Sequence, residues 1–439
     1  MTSADFPATS ETARFRAFTA RDLDLLTRRA GFPAEHRLAL QAVAAVLPFR
    51  TNSYVVDELI DWSAASTDPI FHLTFPQPGM LSPADLAWIT RLLGEDAPAA
   101  QVQHAAREIQ RRLNPHPAGQ LDLNTAFHDG RQVEGVQHKY AETLLVFPRQ
   151  GQTCHAYCTY CFRWPQFVGE PDLRIATDDI DAVLGYLRAH PDVSNVLVTG
   201  GDPLVMSTAV LRRYIEPLLD IETVQAVRIG TKALSFWPHR FIDDRDADDL
   251  LRLFERVVTS GRHLALMAHV THPRELQPEI VRTALRRIRD TGAVVRCQGP
   301  MVRGINDRPE VLVELWTELT RLGAVPYYQF VERDTGPQDY FAVPLARGYE
   351  VFRDAYARVS GLARTVRGPV MSSTPGKVCV DGITEINGER LFVLHLIQAR
   401  NPELVGRPFF ATYDAAATWF TDLKPAFGAS QFLPGLDAA

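Results

Sequence analysis

The chain has few cysteines, no long apolar run and no excess of positive charge. Five of its 439 residues are cysteine, an odd and small number that excludes a disulfide-built framework. The longest apolar stretch, residues 38–49, contains Gln41 and Pro48 and is too short to span a bilayer. A formal net charge of -6 excludes the basic field that favours nucleic acid or acidic membranes. We therefore expect neither nucleic acid nor a membrane as a partner.

Common hydrolase and phosphate-binding motifs are also absent from the sequence. It contains no G-x-S-x-G, no H-E-x-x-H and no Walker loop. The N-terminus is rich in Ser, Thr and Arg but carries Asp5 and Glu11 and has no apolar segment of a signal peptide. We predict a disordered tail over residues 1–20 and a cytoplasmic protein.

The composition and the apolar spacing predict a helical N-terminal domain. Hydrophobic residues make up 46% and charged residues 22%, as in globular proteins. Over residues 21–135, apolar side chains recur at i, i+3 and i+4 spacing, which is typical of amphipathic helices. Ser82 followed by Pro83 predicts a helix start there.

From residue 136 the pattern changes to strands that alternate with helices. Six short β-branched runs occur before residue 371, namely 143–147, 195–200, 226–231, 263–270, 293–299 and 325–330. Such alternation predicts βαβ units and a parallel sheet, and six units give a partial barrel. The predicted class is α/β, with a partial (β/α)6 barrel over residues 136–370. Residues 371–439 are predicted to form a C-terminal segment that covers the open mouth of the barrel.

Three of the five cysteines lie within eight residues, directly after the first predicted strand. Cys154, Cys158 and Cys161 have the spacing C-x3-C-x2-C. In α/β barrels the active site lies at the carboxyl ends of the strands. Three thiolates on one loop can hold three irons of a [4Fe–4S] cluster, which leaves the fourth iron open to a chelating ligand. The spacing therefore predicts a metal cluster in a reducing compartment.

Two other interpretations of the three cysteines remain open at this point. Zinc accepts Cys and His ligands, but Cys297 and Cys379 show no regular spacing relative to the cluster, and His155 is adjacent to one of its cysteines. The simplest alternative is three free or buried thiols with no metal.

The cysteine motif, placed after the first strand of a six-unit barrel, resembles the radical S-adenosylmethionine (SAM) superfamily. The resemblance implies that SAM chelates the open iron and that one electron from the cluster cleaves it to methionine and a 5′-deoxyadenosyl radical. That radical abstracts a hydrogen from the substrate. A small amino-acid-like substrate and an electron donor such as flavodoxin or ferredoxin are implied as partners.

Further segments resemble the lysine 2,3-aminomutase family in order and spacing, over most of residues 50–380. They are NSYVVDELIDW, DPIFHLTFPQ, HKY, TGGDPL, RIGTKA, HVTHP, QGPMVRGIND and PYYQF. The family implies a homo-oligomer, SAM-binding residues and, at Arg163, a grip on the substrate carboxylate. The implied SAM-binding residues are Tyr160, Gly200, Gly201, Asp202 and Gln298.

The family also uses pyridoxal 5′-phosphate (PLP), carried on a C-terminal lysine. By position that lysine is Lys377 in STPGKV, and Lys139 and Tyr140 of HKY match the segment that helps to hold the PLP phosphate. Arg333 stands where the lysine-specific members place an aspartate for the substrate ammonium. An arginine that points into the pocket would repel lysine, which favours an acidic or neutral substrate.

Three functions follow as hypotheses. The first is an isomerase, a PLP-assisted 2,3-aminomutase that acts on an amino acid other than free lysine. The second is a PLP-independent radical SAM enzyme for oxidation, epimerisation or rearrangement of a small molecule or peptide. The third is a non-catalytic iron–sulfur or zinc protein. Bound PLP separates the first two, and formation of 5′-deoxyadenosine separates both from the third.

Overall fold

The N-terminal part of the chain is helical, as its apolar spacing predicts. The computed structural model describes residues 14–114, 123–169 and 174–436. The N-terminal elements are β1 (Ala17–Thr19), α1 (Leu23–Thr27), α2 (Ala34–Val46), β2 (Arg50–Asn52), a π-helical turn (Val55–Leu59), α3 (Pro69–Thr74), α4 (Pro83–Gly94) and α5 (Ala99–Leu113). Helix α4 begins where the Ser82 hydroxyl accepts a hydrogen bond from the Asp85 amide at 3.1 Å.

Residues 17–19, which the sequence analysis places in a disordered tail over residues 1–20, form a strand. Strand β1 pairs antiparallel with β2, so residues from Ala17 onward are held in a two-stranded sheet. Pairing with β2 satisfies backbone groups that a disordered tail would leave to water. Residues 1–13 lie outside the described residues.

A twelve-stranded sheet forms the rest of the fold. Its elements are β3 (Thr125–His128), β4 (Arg131–Tyr140), β5 (Thr143–Val146), α6 (Ile180–Ala189), β6 (Asn195–Val198), α7 (Thr208–Ile215), β7 (Ala226–Thr231), α8 (Ala233–Phe236), α9 (Ala247–Thr259), β8 (His263–His269), α10 (Glu279–Asp290), β9 (Val294–Met301), α11 (Pro309–Arg321), β10 (Val325–Val331), α12 (Gln338–Phe341), α13 (Leu345–Arg358), β11 (Arg367–Ser372), β12 (Gly376–Ile386), β13 (Glu389–Ala399) and β14 (Pro408–Thr412). The strands lie side by side in chain order from β3 to β14.

The six strands predicted from the sequence are β5 to β10, and all six pair in parallel. The α/β class and the six-unit parallel barrel are therefore confirmed. Strand β11 adds a seventh parallel strand on β10. The sequence analysis missed β11 because Gly368 and Pro369 interrupt it and leave no β-branched run.

Alternation along each parallel strand separates the core from the barrel interior. In β9, Val295 and Cys297 pack in the large apolar core between the sheet and its helices. Successive side chains of a strand point to opposite faces, so Arg296 and Gln298 face the other side, the barrel interior. Polar side chains from the strands thus gather inside the barrel. Among the helices of the described residues, none has the length and apolar composition needed to cross a membrane.

The sheet continues past both predicted boundaries of the barrel. Strand β4 runs through the expected boundary at residues 135 and 136, and β11 runs through the one at 370 and 371. Strands β3 and β4 extend one edge, and β12 to β14 extend the other, all antiparallel. The C-terminal segment is therefore joined to the barrel by backbone hydrogen bonds, in addition to any cover it gives the mouth. The domain boundaries themselves stay predictions.

Candidate active site

The cysteine loop follows β5 and is held by the N-terminal elements. The side-chain amide of Asn52 donates to the His155 carbonyl at 3.1 Å, and the Tyr157 amide donates to the Arg50 carbonyl at 2.8 Å. The amide of Thr159 donates to a carbonyl of α3 at 2.9 Å. The same apolar core contains side chains of the loop and of the N-terminal helices. The helical segment therefore shields the loop from water on this side.

The three thiols lie together on the cysteine loop and are partly buried. Burial raises the pKa of Cys158 to about 11 and that of Cys161 to about 12, so free thiols there stay protonated at neutral pH. Elsewhere in the described parts of the chain, the ligand atoms of Cys379, Asp381 and His395 lie within 4.8 Å of one another.

The turn after β6 packs directly against the cysteine loop. Gly200 has a φ of +145°, which side chains rarely allow, and a Cβ on Gly201 would lie 2.4 Å from the Thr153 carbonyl oxygen. The Asp202 amide donates to that same carbonyl at 2.7 Å. The two glycines therefore let backbone approach the residue before Cys154. Their predicted contact with SAM stays a prediction.

Gly201→Ala is expected to destabilise the protein by about 1–3 kcal/mol and to lower the iron content, because the new methyl group must push the cysteine loop away. Thermal unfolding and iron analysis of the anaerobically reconstituted protein measure both effects. Gly361→Ala is the control, since a Cβ there meets nothing within 4 Å. Wild-type stability and iron content in the Gly201 variant would contradict this role.

Asp202 links the ends of β6 and β7 through its carboxylate. One oxygen accepts from the Leu204 amide at 2.9 Å, and the other accepts from the Lys232 amide at 2.8 Å. The Thr231 hydroxyl lies within 2.9 Å of both oxygens. Burial raises the pKa of this carboxyl to about 6. Its lone pairs are engaged by the protein itself, so Asp202 holds the turn in place, and its predicted contact with SAM stays a prediction.

Tyr160 ties the cysteine loop to the end of β8. Its hydroxyl lies 2.8 Å from Nε2 of His269 and 2.7 Å from the hydroxyl of Thr271. Burial lowers the pKa of His269 well below its usual value, so the imidazole is neutral. Gln298 lies on β9, half-buried, with its side chain toward the barrel interior. Tyr160 and Gln298 thus occupy positions compatible with their predicted SAM contacts.

Arg163 lies two residues beyond the last cysteine and carries an unpaired donor. Its guanidinium carbon is 4.6 Å from the Phe147 ring centroid, and its Nη1 is buried with no hydrogen-bond partner in the part of the chain that the structure describes. Burial lowers its pKa to about 10, which leaves it charged at neutral pH. A buried guanidinium with a free N–H is poised to accept an anionic group.

Lys377 lies on β12, with its amine in a desolvated position. The amine donates a hydrogen bond to Gln398 and lies 4.5 Å from the Tyr140 ring centroid. Burial, together with the positive charges of Arg228 and Arg367, lowers its pKa to about 7. A substantial fraction of the amine is therefore unprotonated, and so nucleophilic, at neutral pH.

The structure brings Lys139 and Tyr140 next to Lys377, as predicted for a PLP site. The amine of Lys139 donates to the Ser373 carbonyl, and its pKa is lowered to about 6 by burial and neighbouring cations. The Tyr140 hydroxyl is buried and has no hydrogen-bond partner among the described residues. Buried hydroxyls are normally paired, so this one is free to bond to a polar group of a ligand. These residues fit a phosphate-bearing aldehyde cofactor.

Comparison with known proteins identifies the family. A protein of Aquifex aeolicus named "Putative L-lysine 2,3-aminomutase" is 34% identical over 89% of this chain and 91% of its own length. The chain belongs to the lysine 2,3-aminomutase family. The L-lysine 2,3-aminomutase of Clostridium subterminale is 28% identical over 55% of each chain. A solved radical SAM methyltransferase from Sphaerobacter thermophilus has a TM-score of 0.37 and 17% identity, over 66% of this chain and 94% of that one. No family model matches the chain.

As an aminomutase-family protein this chain is a radical SAM enzyme, so the resemblance noted in the sequence is confirmed. Membership implies a [4Fe–4S] cluster and SAM, and Cys154, Cys158 and Cys161 would hold the cluster. The loop's fit rests on its three desolvated thiols and on the Arg163 donor two residues beyond them, which has no hydrogen-bond partner among the described residues.

Sequence reasoning missed several residues that shape this aminomutase-family site. Lys232 and Glu275 form a buried ion pair of 2.5 Å, and Glu275 also accepts from the Thr271 amide. The Asn306 amide donates to the carbonyls of Thr271 and Pro300. All lie in or just after three motifs already matched to the family, RIGTKA, HVTHP and QGPMVRGIND. The motifs could have pointed to these residues, but only the fold shows that the residues of different motifs bond to one another.

Proposed function

We propose that this protein is a PLP-assisted 2,3-aminomutase that acts on an amino acid other than free lysine. The observation that carries the proposal is the desolvated amine of Lys377, adjacent to Lys139 and to the unpaired hydroxyl of Tyr140. A PLP-independent radical enzyme has no need for two lysines with lowered pKa values in its barrel.

The scarcity of lysine supports Lys377 as the attachment site. The chain has four lysines in all. Lys232 is paired with a buried glutamate, and Lys424 is exposed. Lys139 and Lys377 combine burial with a lowered pKa, and Lys377 is the one that matches the family position.

The residues on each side of the barrel interior have separate tasks. The cysteine loop would hold the cluster and SAM, which would supply hydrogen abstraction with one electron from a donor such as flavodoxin or ferredoxin. When bound, PLP supplies a conjugated ring that stabilises unpaired electron density while the amino group migrates. Arg163 lies next to the cysteines and binds the substrate carboxylate.

Gln398 and Glu142 hold the Lys377 amine in place. Gln398 accepts a hydrogen bond from that amine, and its own side-chain amide donates to the Glu142 carboxylate. These two hydrogen bonds fix the orientation of the Lys377 amine at the barrel edge. It also places one negative charge near a group of cations.

Borohydride trapping tests the proposal. Protein purified without oxygen and reconstituted with iron, sulfide and PLP is expected to carry a phosphopyridoxyl mass on Lys377. The trapping yield should rise as pH increases through about 7, because the amine loses its proton there, whereas an ordinary lysine loses it near 10.4. Peptide mapping over about pH 6–9 gives both the site and the profile.

A screen of amino acids for β-amino products then tests the reaction itself. A sample that cleaves SAM but carries no adduct on any lysine would sink the aminomutase proposal and leave a PLP-independent radical enzyme. A sample that forms no 5′-deoxyadenosine would favour the non-catalytic alternative.

A further inference from the structure

Two arginines with unpaired donors flank Phe162, immediately after the cysteine motif. The guanidinium carbon of Arg163 is 5.2 Å from the Phe162 ring centroid, and that of Arg333 is 5.0 Å from it. Arg163 Nη1 and Arg333 Nε are both buried and have no hydrogen-bond partner among the described residues. The two positive charges therefore lie beside the same Phe162 ring, and each guanidinium has one N–H donor without a partner in the described part of the chain.

Arg333 lies between the cluster side and the PLP side of the site. It is close enough to Arg163 to lower the pKa of that arginine, and close enough to Lys139 to lower the pKa of that lysine. Tyr140, which lies beside Lys377, also interacts electrostatically with Arg333. A substrate that reaches from the cysteine loop to Lys377 would therefore pass both arginines.

The acidic residues next to Arg333 offset only part of this charge. Glu332 is buried, and burial raises its pKa well above the usual value, which favours the neutral form. Asp334 lies next in the chain and stabilises the charge of Arg333. Arg163 and Arg333 each still have a buried N–H donor without a partner among the described residues. Leaving such donors unpaired costs free energy unless an anion binds to them.

We infer that the substrate is a dicarboxylic α-amino acid, with its α-carboxylate at Arg163 and its side-chain carboxylate at Arg333. This inference rests on the proposed function. A guanidinium binds a carboxylate through paired, charge-assisted hydrogen bonds, and it repels the ammonium of lysine. Arg333 is thus a specificity-determining residue of the same site.

Anaerobic calorimetry on the reconstituted holoenzyme tests the inference directly. L-Glutamate or L-aspartate is expected to bind at least about tenfold more tightly than L-alanine, with L-lysine weakest. Arg333→Gln should weaken binding of the acidic amino acid by about 10- to 100-fold and leave L-alanine unchanged. Arg333→Lys keeps the charge without the planar fork and should give an intermediate loss.

Arg353→Gln is the matched control, since Arg353 is exposed and paired only with its neighbour Asp354 on the surface. It should bind all four amino acids as the wild type does. Thermal unfolding of each variant shows whether it is folded. Arg333→Asp provides a second test, because it should shift the preference from acidic toward basic amino acids.

Several results would overturn the inference. The inference is wrong if L-alanine or L-lysine binds as tightly as the acidic amino acids. It is also wrong if Arg333→Gln leaves the preference for acidic amino acids unchanged. Release of PLP by Arg333→Gln would make Arg333 a phosphate ligand instead. Binding is measured apart from turnover, so the two proposals can fail separately. If acidic amino acids bind selectively to a sample with no adduct on Lys377, the aminomutase proposal is wrong but the assignment of Arg163 and Arg333 to the two carboxylates stands.

Discussion

Cys158→Ala is expected to abolish cluster binding and to lower SAM cleavage by at least about a thousandfold, roughly 4 kcal/mol in activation free energy. Three thiolates are the full set that the loop offers to three irons, so the loss of one leaves a second iron without a protein ligand. Iron and sulfide analysis, the visible absorption of the cluster and the yield of 5′-deoxyadenosine measure the effect. Cys154→Ala and Cys161→Ala should behave alike.

The control for the cysteine variants is Cys297→Ala. Cys297 is buried in the core between the sheet and the helices and faces away from the barrel interior. Its replacement leaves a small cavity, which costs some stability but no iron. If the Cys158 variant kept a full cluster, or the Cys297 variant lost it, the assignment of the metal ligands would be wrong.

Lys377→Arg is expected to eliminate the phosphopyridoxyl adduct and to lower amino-acid conversion by at least about a thousandfold. Arginine keeps the positive charge but is never unprotonated in a protein and cannot form the linkage. Lys377 lies on β12 and is not part of the cysteine loop, so iron content and reductant-driven SAM cleavage should persist. Adduct mapping, product analysis and 5′-deoxyadenosine yield, taken together, separate these effects.

Lys424→Met serves as the matched lysine control, because Lys424 is exposed. It should retain the adduct on Lys377 and the full rate of conversion. An adduct that moved to Lys139 in the Lys377→Arg variant, with conversion preserved, would show that Lys139 is the functional amine. Wild-type conversion by the Lys377→Arg variant with no adduct on any lysine would exclude PLP from the reaction.

The excess of cations inside the barrel is consistent with the anionic ligands of the proposed function. Arg228, Arg367 and Lys377 interact electrostatically at the PLP side, and Glu142 is the acid that opposes them there. Arg163 and Arg333 add charge nearer the cysteines. A phosphate group and carboxylates would neutralise these charges on binding, and a cationic substrate would add to the repulsion.

Local patterns in the sequence determined the radical SAM fold and the cluster. Cys154, Cys158 and Cys161 lie on one loop, so their spacing is visible in a short stretch of sequence. The parallel strands are recognised by short β-branched runs between amphipathic helices. Interactions within a few residues or one repeating unit carry both signals. For that reason the prediction of β5 to β10 is confirmed strand by strand.

Contacts between distant segments could be decided only by the tertiary structure. Lys377 meets Tyr140, far from it in the sequence, because β4 and β12 lie toward opposite edges of a sheet that curls into a barrel. The sequence marked both residues through the family motif, but it could not show that the Lys377 amine is desolvated, since burial depends on the elements packed around it. The same reason hid the unpaired donors of Arg163 and Arg333. Chemistry that needs a particular residue type is thus readable from the sequence, whereas a pKa or an unpaired donor belongs to the folded chain.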